Sequence, residues 1–117
     1  MYVDGFVVPV PRCSLKAYKK LARLAGRVWK EHGALSYVEA IADDVEVGKV
    51  TSFPRSVKLK EDEIAIFSWI TYRNRRSRDS VLKKVMADPR LSRTDMKNAP
   101  FDAKRMIYGG FRPFLEL

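Results

Sequence analysis

Apolar residues run almost unbroken from Val3 to Val10, many of them β-branched, which predicts a buried strand. Pro9 and Pro11 carry no amide hydrogen for a ladder, so regular pairing is expected to fade near Val8. From Ser14 the period changes to that of a helix. Leu15, Tyr18, Leu21, Ala22, Ala25, Val28 and Trp29 fall on one side, and Lys16, Lys19, Lys20, Arg23, Arg27 and Lys30 on the other. The helix is expected to end near His32, with Ser14 as its N-cap and Gly33 as the residue past its end.

Alternation resumes from Leu35 to Ala42, with Leu35, Tyr37, Glu39 and Ile41 on one strand face. A loop follows, then an extended piece from about Thr51 to Leu59 interrupted by Pro54. Ile64 to Tyr72 (IAIFSWITY) carries the strongest strand pattern in the chain. A second helix is predicted over Arg75–Ala87, closed by Asp88-Pro89, because a proline ring clashes with a continuing turn. Leu91–Met96 is compatible with a short irregular helix, and a last strand covers about Arg105 to Phe114.

Four strands and two helices in this order predict a single α+β domain over residues 1–117. The arrangement is a ferredoxin-like βαββαβ antiparallel sheet, and right-handed crossovers place both helices on one face. Phe6, Val8, Phe67 and Trp69 are more bulk than two helices cover, so the second face is expected to be buried by a second copy of the chain.

Composition adds limits. No stretch reaches the ~18 apolar residues of a membrane span, and the N-terminus lacks the marks of a signal peptide, so a cytoplasmic protein is expected. The one cysteine, Cys13, excludes an internal disulfide; it stands at a strand-to-helix junction without a base or resolving thiol and reads as inert. Metal chemistry lacks its ligands: there is one histidine, no CxxC and no HxxE, and no cofactor is implied. VGKVTS at Val47–Ser52 echoes a phosphate loop, but Asp43 and Val50 occupy positions that need Gly and Ser/Thr. The 23 Lys and Arg against 14 Asp and Glu matter chiefly through their distribution, as the single-sign stripe on the first helix and the cluster YRNRRSR at the second. Such a surface suits phosphate backbones, although no nucleic-acid module is present and a solvated face is the plainer reading.

Several stretches resemble a known family: YVDGFVVPVP at Tyr2–Pro11, FSWITY at Phe67–Tyr72, DPR at Asp88–Arg90 and PFDAKRMIYGGF at Pro100–Phe111. They are similar to the YbaA-like family of small bacterial proteins, domain of unknown function 1428. Ala103 departs from the family pattern, which has glycine there. The resemblance implies a dimeric α+β barrel in the cytoplasm and supplies no catalytic residue.

Candidate chemistry rests on polar groups within apolar elements. His32 falls near the middle of the apolar helix face, either as a base projecting between helix and sheet or as a side chain bonding a free helix carbonyl. Asp4 and Glu39 interrupt apolar strands, as perturbed acids in a pocket or as structural partners of Arg105 or Lys104. Trp69, Tyr72 and Tyr108 suit either a pocket for an aromatic molecule or plain core. Gly109-Gly110 lies within a strand, so it is expected to mark a bulge or the close approach of a backbone or aromatic ring, not a phosphate cradle. Two functional readings follow. One is a small-molecule binder or cofactor-independent enzyme whose pocket is lined by His32 as base, Arg105 as anion partner, Tyr108 as donor, and Asp4 and Glu39. The other is a non-catalytic module binding an acidic partner or nucleic acid through the basic helix face.

Overall fold

The computed structural model describes residues 1–92 and 98–117. Strand β1 (Tyr2–Pro11) leads through a 3-10 turn at Arg12–Ser14 into α1 (Leu15–Glu31). Then come β2 (Ser36–Ile41), a one-turn α2 (Phe53–Ser56), β3 (Glu63–Tyr72), α3 (Arg75–Ala87), a one-turn α4 (Pro89–Ser92) and β4 (Ile107–Phe111). The strands form one antiparallel sheet in the order β2-β3-β1-β4.

Both long helices lie on one face of this sheet. Val28 of α1 and Val81 and Val85 of α3 are buried together with Tyr2, Ile70 and Tyr72. Tyr18 closes a second cluster with Val8, Val10 and Ile66. Even-numbered residues of β1 and β3 therefore face the helices. This corrects one expectation: Phe6 and Val8 belong to the helix-covered core, and only Phe67 and Trp69 lie on the opposite face, where their rings are 5.6 Å apart.

Pairing does not fade at Val8. β1 stays in register with β3 as far as Pro11 opposite Glu63. The Pro9 carbonyl accepts from the Asp102 amide, away from β3, so the missing proline N–H costs that ladder nothing. The expected extended piece at Thr51–Leu59 is instead built around α2. Pro54 sits in the first turn, where its amide is not needed, and the Ser52 hydroxyl accepts from the Arg55 amide. Ser14 makes no capping hydrogen bond; Asn74 does, accepting from Ser77 N at 2.8 Å ahead of α3. β4 is shorter than expected, which leaves Arg105 in the preceding loop. Part of the Leu91–Met96 segment lies outside the described residues; α4 accounts for its start.

Candidate functional site

The edge strand β2 leaves a groove between itself and α1, with a cavity of about 520 Å³. Leu15, Ala22, Ile41 and Ile66 supply apolar wall, while Lys19, Arg23, Arg27 and Lys30 stand along the α1 side. Glu39 lies in this groove, on the helix-facing side of β2. Its carboxylate accepts one hydrogen bond from the Tyr18 hydroxyl at 2.6 Å and another from the Tyr37 hydroxyl at 2.8 Å. Burial, and then the neighbouring Glu39 charge, push both phenols far above their ordinary range, so they remain protonated donors.

Local sequence accounts for part of the cluster. Alternation puts Tyr37 and Glu39 on one strand face, and helical spacing puts Tyr18 on the apolar face of α1. Gly26 admits the Tyr37 ring: a Cβ at this position would stand 3.0 Å from a ring carbon. Glycine inside a helix costs about 0.5–1 kcal/mol relative to alanine, and here the close ring gives it a packing reason. Lys30 is held by the Leu35 carbonyl at 2.6 Å, fixing the groove's far end.

The five side chains proposed from sequence do not converge on one pocket. Glu39 alone lines the groove. Asp4, 5% exposed, pairs with Arg78 at 3.1 Å instead of Arg105 or Lys104, and beside it stands Tyr72, whose oxygen accepts from Trp29 Nε1 at 3.0 Å. Burial raises the Asp4 pKa and the Arg78 guanidinium opposes that rise. His32 bonds neither a helix carbonyl nor a cavity; its Nε2 lies 2.8 Å from Asp88 Oδ2. Arg90 and then His32 hold the Asp88 carboxyl far below the usual carboxylate range, and Arg90 also reaches Glu31 at 2.6 Å. This network ties the end of α1 to α4.

Arg105 is fully engaged as a structural clamp. It meets both Glu63 oxygens at 2.8 and 2.6 Å, Asp102 at 2.8 Å and the Lys58 carbonyl at 3.0 Å. Tyr108, 73% exposed, stacks on Phe6 across the sheet from β2. Trp69 lies on the open face, Tyr72 is buried in the polar chain to Asp4, and Cys13 is an exposed free thiol. Among the described residues no group of three or more His, Cys, Asp or Glu is arranged to hold a metal ion. The sequence reading missed Tyr18, Tyr37 and Gly26. The spacing of Tyr37 and Glu39 on one face was visible, but nothing local set Tyr18 opposite them.

Gly109-Gly110 continues the regular β1–β4 register without a bulge. A Cβ on Gly110 would run into the Tyr2 hydroxyl and stand 2.9 Å from two Tyr2 ring carbons, so an aromatic ring makes the close approach. No helix among the described residues is long and apolar enough to cross a membrane.

Comparison with known proteins adds kinship without chemistry. The chain is 48% identical over 115 residues to the uncharacterized protein YbaA of Escherichia coli K12, covering 98% of this chain and 97% of that one. The same identity and coverage hold for the uncharacterized protein YbaA of Shigella flexneri. Residues 1–103 match the family described as "Protein of unknown function (DUF1428)". The chain belongs to that family.

Proposed function

We propose that the chain is a small-molecule-binding protein whose site is the groove between α1 and β2. The observation that carries this reading is the Glu39 carboxylate, held by two tyrosyl hydroxyls on the wall of an apolar cavity of about 520 Å³. Binding sites commonly combine apolar walls with a few convergent polar groups. Whether chemistry follows binding depends on the bound molecule, and Glu39 is the group placed to accept a proton from it. The alternative, a module binding an acidic macromolecule through the basic helix face, draws on the same cations but leaves the cavity and its half-buried polar cluster without a role.

The same reading takes the architecture as a ferredoxin-like, cytoplasmic homodimer of the α+β-barrel type. The order β2-β3-β1-β4 with both helices on one face supports it. So does the opposite face, where Phe53 of α2 packs on Phe67 but Phe67 is still 43% exposed beside Trp69, and Ile107 and Phe111 are also exposed. Contiguous apolar surface of this kind marks an interface, and a self-complementary two-fold contact would cover both copies. The free thiol of Cys13 accords with a reducing compartment.

Titrating the ¹⁵N-labelled chain with 8-anilinonaphthalene-1-sulfonate, an apolar anion of suitable size, tests the site. Amide shifts at Tyr18, Ala22, Tyr37 and Glu39 are the expected result. No shifts, or shifts confined to the Phe67 and Trp69 face, would reject the groove.

A further inference from the structure

From the donors and acceptors in the groove we infer that its ligand is a dipolar amphiphile. It carries an anionic group at the α1 side, an apolar body, and a hydroxyl or ammonium group directed at Glu39. The inference rests on the groove being the binding site and adds the class of molecule.

Hydrogen-bond bookkeeping decides the inner end. Each phenol has one proton, and Tyr18 and Tyr37 both donate theirs to Glu39. An entering molecule therefore meets a carboxylate and two phenolic oxygens with lone pairs to offer and no free proton. A carbonyl or carboxylate in that place would set lone pair against lone pair. A hydroxyl or ammonium hydrogen would complete the cluster and avoid a buried unpaired acceptor.

Charge decides the other end. Lys19, Arg23 and Arg27 recur at four-residue spacing along one edge of α1, all exposed, with Lys30 beyond them. Guanidinium groups in such a row match a carboxylate, sulfonate or phosphate. The walls between these ends are aliphatic and aromatic. The groove's volume of about 520 Å³ falls in the range of small-molecule sites.

Three matched probes test the assignment at pH 7: 3-(4-hydroxyphenyl)propionate, 3-phenylpropionate and 4-ethylphenol. The first has both polar ends, the second lacks the inner donor and the third lacks the anion. By amide shift titration the first should bind at least tenfold tighter than either of the others. Glu39→Gln should reduce the preference for the hydroxylated acid to under threefold while sparing the preference for the acid. Arg23→Gln combined with Arg27→Gln should do the reverse, and both substitutions are on exposed positions that leave the core intact. Affinities within threefold across the three probes in the unsubstituted chain would overturn the inference, whatever the variants do. If the naphthalene sulfonate shifts the groove and none of the three probes does, the inference falls and the groove stands. If no probe shifts it, both fall.

Discussion

Gly110→Ala is predicted to destabilise the chain by about 2–3 kcal/mol, the upper part of the range for overpacking a filled site. The new methyl would run into the Tyr2 hydroxyl, and two ring carbons at 2.9 Å leave no room for a small adjustment. Tyr2 is 8% exposed and packs with Ile70, Tyr72 and Val81, so its ring cannot swing away freely. Its displacement would also loosen Arg78, whose guanidinium lies 5.0 Å over the ring and donates to the hydroxyl at 3.3 Å. Complete expulsion sets the upper bound. An aromatic side chain buries about 150–250 Å², worth about 4–6 kcal/mol at 25 cal/mol per Å². Gly109→Ala is the internal control: its Cβ would meet the Phe111 ring at 3.5 Å, an ordinary contact. That change should be neutral or stabilising by up to about 1 kcal/mol, because alanine loses less freedom on folding. Urea unfolding at one fixed chain concentration measures both. In a Tyr2→Phe background the Gly110→Ala cost should shrink by about 1 kcal/mol, since the hydroxyl contact is gone. Equal effects of the two glycine substitutions, within 0.5 kcal/mol, would refute the reasoning.

Two more outcomes test other parts of the structure. Light scattering should give twice the 13.5 kDa chain mass, and Phe67→Lys with Trp69→Lys should give the single-chain mass while the far-UV spectrum is kept; a monomeric unsubstituted chain at micromolar concentration would remove the dimer. Arg105→Gln should cost about 2–3 kcal/mol at pH 7, because it leaves Glu63, 4% exposed, charged without its partner. Arg105 holds the Glu63 pKa below its ordinary value of 4.5, so this stabilisation is present above that value and lost as pH falls through the lowered one. The gap between the two chains should therefore narrow toward pH 3; a gap that stays constant from pH 7 to 3 would show that the clamp is not electrostatic.

Periodicity made α1, β3 and α3 legible almost to the residue, because each is long enough for its apolar face to declare the period. Short elements offered no such signal. Phe53–Ser56 holds too few residues to show a helical face, so Pro54 read as an interruption of a strand when it is the opening turn of a helix. The need to satisfy Asp4 was also legible from its apolar neighbours, but the partner was not. Arg78 lies 74 residues away, and the rotation of α3 selects it over the other cations of that cluster. Glu39 shows the deeper limit. Its neutralisation was expected from a cation, yet α1 turns Tyr18 inward and its cations outward, so two phenols satisfy the carboxylate.

That orientation also dissolves the choice between a pocket and a basic surface. On the helical wheel the apolar and basic faces of α1 are separate features pointing to separate functions. Once α1 lies over the free edge of β2, the boundary between those faces becomes the mouth of the groove. Tyr18, Ala22 and Gly26 then face inward, while Lys19, Arg23 and Arg27 each follow one of them in sequence. The site is a property of where the helix boundary falls against the sheet edge, which packing decides and local sequence leaves open.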